Sequence, residues 1–296
     1  MKRTIINISK NTLKLFKTAN KVTLNGTEHK FTRAEKIVYL GYLAKVCKFD
    51  AEDLGWTTVV SNSTMSKLCG LDTSTVINCK RSLSTIGLIN VEEIGNGKHR
   101  VKIIEYEQLH LTKEEGGTGY VKIGFNMFQK LCELNTNELR VALDILLSLD
   151  NMKNNIYNKS QFIVKYYSKA RKYLPSYVNC KKKVAAIFKK LDKLLFDINL
   201  KEDHCTCKEI LAYNVENYVA KVAKGNRKGI QRLAKANGIE YNSKDLTDLV
   251  QMSLEYGYTA ISNALMYIMI NAITNIDNLG ALVRTLIKGS FKIELY

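Results

Sequence analysis

The sequence contains little that would interrupt helices and little that could cross a membrane. Pro175 is the single proline among 296 residues, and proline is the residue that most strongly breaks helices. The longest apolar stretch, residues 260–273, is interrupted by serine and asparagine and is shorter than the roughly 20 residues of a membrane span. We therefore expect a helix-rich chain with short connections and no membrane partner.

Signatures of catalysis and of metal binding are also missing. The stretch Gly95-Asn96-Gly97-Lys98 lacks the upstream glycine and the Ser/Thr of a phosphate-binding loop. The four histidines are scattered. Cys205-Thr206-Cys207, beside His204, lacks the two-residue spacing and the second ligand pair of a zinc site. We expect a protein that is not an enzyme and that uses no cofactor and no metal.

Cysteine usage bears on the cellular compartment. The chain has seven cysteines, an odd number, and residues 1–7 lack the continuous apolar segment of a secretion signal. Reduced thiols fit this pattern better than a disulfide framework does. We expect a cytoplasmic protein.

Negative charge is scarce relative to positive charge. Lys and Arg number 45 against 28 Asp and Glu, which gives a formal net charge of +17. Basic domains attract polyanions, most commonly nucleic acid, although a membrane surface or an acidic protein would also fit. The alternative is a lysine-rich composition inherited from an AT-rich genome. We interpret the charge as favouring a nucleic-acid partner.

The most informative pattern lies between residues 31 and 106. The predicted elements are a helix from Thr32, a strand at 56–60, helices at 61–69 and 73–86, and a β-hairpin around 95–98. Gly70 suits the tight turn between the last two helices, because glycine adopts positive φ without strain. Leu83-Ser84-Thr85-Ile86-Gly87-Leu88-Ile89 resembles a common bacterial junction between recognition helix and wing. This order predicts a winged helix-turn-helix at roughly 55–106.

A helix of this type places its early residues near base edges in the major groove. Asn78 could pair with adenine and Arg81 with guanine or phosphate, while the wing would reach phosphates or the minor groove. The predicted DNA-binding residues here are Lys67, Thr73, Ser74, Thr75, Asn78, Arg81, Ser82, Lys98, His99 and Arg100. The alternative is that this domain binds protein, as some winged helices do.

A similar but weaker pattern follows residue 120. The predicted elements are a strand at 120–125, helices that follow it, a helix pair at 161–174 and 176–195, and a strand at 196–198. This order suggests a second winged helix with a less evident wing. Its predicted DNA-binding residues are Lys181, Lys182, Lys183, Lys189, Lys190 and Lys193. The alternative is a solvated surface helix.

These patterns divide the chain into three segments. Residues 114–119 form the clearest linker, and amphipathic helices fill the chain from about residue 208. The predicted domains are an N-terminal arm with a first winged helix at 1–112, a second winged-helix-like domain at 120–203, and a C-terminal helical domain at 208–296. The expected class is mainly α with small β-hairpins (α+β).

Two winged helices in tandem on a basic chain resemble plasmid replication initiators of the Rep type over roughly residues 30–200. The resemblance implies that the winged helices bind repeated origin sequences, or that one of them mediates a homodimer. The C-terminal helices are similar to those of DnaD-type primosome proteins, through a helix at 261–273 and the segment 277–287. That similarity implies contact with single-stranded DNA or with a helicase, and so a helicase or another primosome protein as a partner.

The function predicted from these features is sequence-specific binding of double-stranded DNA. The expected role is a plasmid or phage replication initiator that binds repeated origin sites and recruits replication machinery. A winged-helix transcriptional regulator and a primosome scaffold that acts through protein contacts are the alternatives.

Overall fold

The computed structural model describes residues 5–48, 56–106, 117, 119–153, 162–210, 213–274 and 276–293. Helices dominate these ranges and the strands form small antiparallel sheets, so the predicted α+β class is confirmed. Most of the predicted linker at 114–119 lies outside the described residues. None of the helices in these ranges is both long and apolar enough to cross a membrane.

The N-terminal arm contains regular structure. Its elements are β1 (Ile5–Ser9), α1 (Lys10–Lys17), β2 (Val22–Leu24) and β3 (Thr27–His29). Strands β2 and β3 pair as a hairpin whose turn is Asn25-Gly26, with φ values of 48° and 76°. Asn-Gly is a favoured sequence for a tight hairpin turn, because both of its residues adopt positive φ readily.

Apart from one additional strand of 2 residues, the region that follows has the element order predicted from the sequence. Its elements are α2 (Arg33–Leu43), β4 (Cys47–Lys48), β5 (Trp56–Ser61), α3 (Asn62–Cys69), α4 (Thr73–Thr85), β6 (Ile89–Glu93) and β7 (Lys98–Ile103). Thr32 and Glu35 form a reciprocal capping box at the start of α2. Gly70 ends α3 with φ 64°, the left-handed conformation that the tight turn requires. The strands form one sheet in the order β4-β5-β7-β6.

The second half of this α+β region also contains helices and a small sheet. Its elements are β8 (Tyr120–Gly124), α5 (Phe125–Glu133), α6 (Thr136–Lys153), β9 (Ile163–Tyr166), α7 (Tyr167–Ala170), a 3₁₀ turn (Arg171–Tyr173), α8 (Lys181–Leu191), β10 (Phe196–Leu200) and β11 (His204–Glu209). The last three strands form a sheet in the order β10-β11-β9.

The two halves share one sequence of elements. We call α2, β5, α3, α4, β6 and β7 the first unit, and α6, β9, α7, α8, β10 and β11 the second unit. Each unit runs helix, strand, two helices and hairpin. In each, the last strand lies between the first strand and the other hairpin strand, as β5-β7-β6 and β9-β11-β10. The second unit thus has a complete hairpin, which the sequence pattern indicated only in part.

The structure corrects two predicted helices of the second unit and adds one strand. The helix predicted at 161–174 is wrong where the structure describes it, because β9 pairs with β11 there and only a short helix and a 3₁₀ turn follow. The helix predicted at 176–195 is confined to α8. Strand β11 was not expected, and it carries the sheet to Glu209, past the domain end predicted at residue 203.

The N-terminal arm joins the two units. Strand β1 pairs antiparallel with β8, from Ile5 opposite Gly124 to Ser9 opposite Tyr120. Helix α1 packs on α6, and Lys17 pairs with Asp144 at 2.8 Å. The prediction grouped the arm with the first domain alone, whereas these contacts tie it to the second half of the chain.

The C-terminal part is helical, as predicted. Its helices are α9 (Val215–Ala236), α10 (Ser243–Tyr256), α11 (Tyr258–Ile270) and α12 (Leu279–Ile293). Helix α9 runs without interruption through Gly225 and Gly229. Gly229 lies within α9 against the Tyr258 ring of α11, where a Cβ atom would come within 2.8 Å of the phenol oxygen.

The described residues bury two separate apolar cores. One extends from Ile6 to Cys207 and includes side chains of both units and of the arm. The other extends from Ile230 to Ile287 and lies among α9, α10, α11 and α12. The two units therefore share a core, and the C-terminal helices have their own.

Candidate nucleic-acid interface

Helix α4 begins at a fully capped N-terminus. The Asp72 carboxylate accepts hydrogen bonds from the Thr75 backbone N–H at 2.7 Å, the Ser74 hydroxyl at 2.5 Å and the Thr75 hydroxyl at 2.7 Å. The bond from Ser74, followed by those from Thr75, lowers the pKa of Asp72. The start of α4 is therefore fixed, and a negative charge compensates its free backbone N–H groups.

One side of α4 is buried, which leaves the opposite side to solvent. Val76 and Leu83 have no exposed surface. Thr73, Asn78 and Arg81 are exposed. No hydrogen-bond or ion-pair partner among the described residues engages these three side chains. They are available to a ligand.

Other predicted contacts on α4 have partners within the protein. The hydroxyls of Ser74 and Thr75 donate hydrogen bonds to Asp72, so these two side chains hold the capping carboxylate in place. Ser82, predicted as a DNA contact, instead donates to Glu35 Oε1 at 2.5 Å. Because Glu35 lies on α2 and is buried, Ser82 fixes the packing of α4 on α2.

Lys67 lies beside the turn that leads into α4. It occupies the last turn of α3, immediately before Gly70, and it is exposed. Within the described ranges its ammonium has no partner. This position suits a contact with a backbone phosphate next to the base-reading helix.

Strand β7 alternates, and this alternation separates the three predicted wing residues. His99 lies on the buried side with Val101 and is 7% exposed. The prediction required His99 to project from the hairpin, and its burial contradicts this. Arg100 lies on the other face, where its guanidinium donates to Glu92 at 2.6 Å. Lys98 is half-buried, and no partner in the described part of the chain engages its charge.

A groove of about 540 Å³ lies between α4 and the β6–β7 hairpin. Its lining comprises Asn62, Ile77, Lys80, Arg81, Ser84, Thr85, Val91, Glu93 and His99. Lys80 is 8% exposed, and burial lowers its pKa against the opposing effect of Glu93. Lys80 is absent from the predicted set.

The lysines predicted on the second unit are all exposed. Lys181, Lys182 and Lys189 lie on α8 and have no ion-pair or hydrogen-bond partner among the residues that the structure describes. The opposite side of α8 buries Val184 and Phe188 completely. Helix α8 therefore presents a positive side that an anionic partner can neutralise.

The other three predicted lysines have partners within the protein itself. Lys190 lies 3.2 Å from Glu138 of α6. Lys183 donates to oxygens of the loop that precedes α8. Lys193 follows the end of α8 with φ 58° and pairs with Asp197, which raises the pKa of the lysine. These residues are weaker candidates for a phosphate contact.

Helix α9 carries a basic face that the predicted set did not include. Its exposed cations are Lys221, Lys224, Arg227, Lys228, Arg232 and Lys235. Their spacing places most of them on one side of the helix, while Ile230 and Ala234 are buried. No ion pair within the described residues engages them. The signal was visible in the sequence, because residues 217–236 contain no Asp or Glu.

The cysteine pair near residue 206 lies inside the second unit. Cys205 and Cys207 have no exposed surface, and their Sγ atoms are 3.7 Å apart. The hydrogen bond between them, together with burial, raises the pKa of Cys205. The described residues contain no group of three or more His, Cys, Asp or Glu that could hold a metal ion. The pair packs as small core residues.

No protein-family model, no curated protein and no solved structure matches this chain. Three surfaces of the described residues are candidates for binding a partner. These are the exposed side of α4 with its adjacent groove, the unpaired lysines of α8 and the basic face of α9.

Proposed function

We propose that this protein binds double-stranded DNA in a sequence-specific manner through α4. The observation that carries the proposal is the exposed side of α4, where Asn78 and Arg81 have no partner within the described residues. Asn matches the major-groove edge of adenine, and Arg matches that of guanine. The order helix, strand, helix, helix and hairpin is typical of a winged helix, in which the second helix of the helix-turn-helix reads the major groove.

The second unit and α9 supply further positive surface in this proposal. The second unit repeats the element order of the first, so we interpret both as winged helices. The free lysines of α8 then contact phosphates of a second DNA segment. The basic face of α9 adds a contact that does not depend on sequence. A formal net charge of +17 supports this arrangement, because phosphate contacts dominate the affinity of DNA-binding proteins.

We infer that the biological role is initiation of plasmid or phage replication. Two similar units in one chain suit binding to repeated origin sites, as the resemblance to Rep-type initiators implies. The C-terminal helices would then recruit a helicase or another replication protein. This role requires no chemistry from the protein itself. A transcriptional regulator would use the same α4 contacts.

Selection of bound fragments from random DNA tests the proposal. The purified full-length chain is incubated with random duplexes, and retained fragments are sequenced over several rounds. We expect a defined motif, and an initiator role predicts that this motif recurs as direct repeats beside the gene. A single site upstream of a promoter would favour the regulator. Retention without any common sequence would contradict sequence-specific binding.

A double substitution tests the role of α4. Asn78→Ala with Arg81→Ala should weaken binding to the selected duplex by about 2 kcal/mol or more, because each base contact contributes about 1–3 kcal/mol. Binding to random duplex should change much less, since the phosphate contacts remain. Fluorescence anisotropy on both duplexes measures the difference. Equal losses on both would remove the base-reading role of α4.

A scaffold that acts through protein contacts is the second candidate. The observation that favours it is the C-terminal part of α11, where Met266, Tyr267, Met269 and Ile270 are 42–70% exposed. Large apolar side chains in such a group often mark protein contact surfaces. If the selection retains no duplex, this candidate becomes the better interpretation.

A further inference from the structure

The groove between α4 and the β6–β7 hairpin holds more positive charge than the protein itself balances. Lys80 and Arg81 line it from α4, and His99 lines it from β7. Lys80 and His99 are 8% and 7% exposed, so both are held within the protein surface. Glu93 of β6 contributes the carboxylate of the lining, on a side chain that is 85% exposed.

His99 has an unsatisfied nitrogen at this position. Its Nδ1 is buried, and no hydrogen-bond partner reaches it among the described residues. The nearby Glu93 Oε1 lies 3.8 Å away, which is beyond hydrogen-bond distance. A buried polar atom without a partner costs free energy. A protonated ring would avoid this cost if both of its N–H groups donated to hydrogen-bond acceptors.

We propose that this groove holds one backbone phosphate of bound DNA, and that His99 takes up a proton when the phosphate enters. The proposal rests on the proposed DNA-binding function. A helix in the major groove and a hairpin at the neighbouring minor groove lie on either side of one sugar–phosphate strand. The space between α4 and the hairpin is therefore where that strand must pass.

The groups that line the groove suit a phosphate diester. The single negative charge of the diester faces the Lys80 ammonium, and Arg81 remains for the base contact proposed above. The protonated His99 ring can donate from Nδ1 to Glu93, which needs a small approach from 3.8 Å. Its Nε2 then donates to the phosphate. Each charged group that lines the groove therefore gains a partner when DNA is bound.

The pKa of His99 in the protein without DNA sets the direction of the pH dependence. Burial lowers the pKa of His99, Lys80 lowers it further, and Glu93 opposes both. The ring is thus neutral at pH 7 in the absence of DNA, since an unperturbed histidine titrates near about 6.5. A bound phosphate raises the pKa of His99. By linkage, affinity for DNA increases as the pH falls from the bound-state pKa to the free-state pKa, and it is constant outside this interval.

The test is the affinity for the selected duplex between about pH 5.5 and about pH 8, at constant ionic strength. We compare the full-length wild type with His99→Gln and His29→Gln. Wild type should bind more tightly as the pH falls, by at most about tenfold per pH unit for one linked proton. His29→Gln is the matched control, because His29 lies on β3 of the N-terminal arm with its ring beside Glu35; it should keep the wild-type profile. His99→Gln should lose the part of the slope that is due to one proton.

A second measurement is made on the wild type, so its result does not depend on the stability of His99→Gln. The imidazole C2–H resonance of His99, assigned by its absence from the His99→Gln spectrum, reports the pKa of the ring in wild type with and without the duplex. We expect this pKa to rise on binding. An unchanged pKa, with equal pH profiles for wild type and His99→Gln, would overturn the groove assignment and leave DNA binding intact. Failure to bind any duplex at every pH would overturn the DNA-binding function, and the groove assignment with it.

Discussion

Lys36 lies on α2 with no exposed surface, and among the described residues its Nζ atom has no hydrogen-bond partner. Burial, and after it Arg140, lowers its pKa to about 7 against the raising effect of Glu35. Arg140 is itself only 4% exposed. Two buried cations therefore lie near each other between helices of the first and second units.

The substitution Lys36→Met should stabilise the protein. At pH 7 and below we expect the free energy of unfolding to rise by about 1–4 kcal/mol, because an apolar side chain of similar volume removes a buried charge. The lysine pKa is lower in the folded than in the unfolded state, so the unfolded state binds more protons between about pH 7 and about pH 10. Wild-type stability should therefore rise across this interval, and the variant should lack that rise. Urea unfolding at several pH values measures both effects.

The control for this substitution is Lys21→Met. Lys21 is 64% exposed and pairs with Glu28 on the surface. Its replacement should change stability by no more than about 1 kcal/mol. A decrease in stability for Lys36→Met would show that the buried ammonium has a partner that satisfies it.

Asp144 presents the opposite case, a buried carboxylate with several donors. Lys17 approaches it at 2.8 Å, the Tyr173 hydroxyl donates at 3.0 Å, and Lys165 also donates to it. Burial raises the pKa of Asp144, but Lys165 and then Lys17 lower it by more. These partners belong to α1, β9 and the 3₁₀ turn. Asp144 therefore joins the arm to the second unit.

The substitution Asp144→Asn should cost about 3–5 kcal/mol at neutral pH, because it leaves the two ammonium groups without their counter-charge. The folded-state pKa is lowered, so this stabilisation is present above the unfolded pKa of about 4 and is lost as the pH falls through the folded pKa. The difference between wild type and variant should therefore shrink in acid. The control is Asp197→Asn, whose partners Lys193 and Lys208 are exposed. Equal losses for both variants would contradict a special role for Asp144.

At the scale of elements, the unpaired lysines of α8 allow a test of whether this helix contacts DNA or only faces solvent. Lys182→Glu with Lys189→Glu should reduce the steepness of log K against log salt by about one unit for each phosphate that the helix no longer neutralises. Lys21→Glu with Lys130→Glu gives the same change in net charge away from α8. The control should keep the wild-type slope. If both double variants change the slope equally, α8 contributes only general charge.

Elements with strong local signals were predictable from the sequence. The periodicity of Val76 and Leu83 and the cap before Thr73 define α4, and these signals depend only on neighbouring residues. Strand β9 was mistaken for a helix because its partner, β11, is distant in sequence. Strand pairing of this kind leaves only a weak trace in a short run of residues.

The candidate site could be predicted only in part, for a related reason. Exposure of Asn78 and Arg81 follows from helical periodicity. The partners of Ser82 and Arg100 do not, because Glu35 lies on another helix and Glu92 on the neighbouring strand. The burial of His99 follows from the alternation of β7, but the groove that it lines exists only once α4 and the hairpin are packed together.

At the scale of the whole molecule, β1 and α1 make the two units interdependent. Ile6 and Ile8 of β1 are fully buried, as are Leu13 and Phe16 of α1. Strand β1 pairs with β8, and the Thr12 hydroxyl donates to Glu105 at 2.7 Å at the end of the first unit. The arm thus contacts both halves of a shared core. An N-terminal fragment that lacked β8 and α6 would expose part of this core.

This interdependence predicts how the chain can be divided. A fragment of residues 1–210 keeps the whole core shared by the two units and should unfold cooperatively on heating. A fragment of residues 1–112 lacks the partners of β1 and α1, so its midpoint should be lower by at least about 10 °C, as a loss of several kcal/mol implies for a chain of this size. Circular dichroism measures both transitions, and the 1–210 fragment serves as the control because it lacks the same C-terminal helices. Equal midpoints would mean that the first unit is stable by itself and that the arm only links two independent domains.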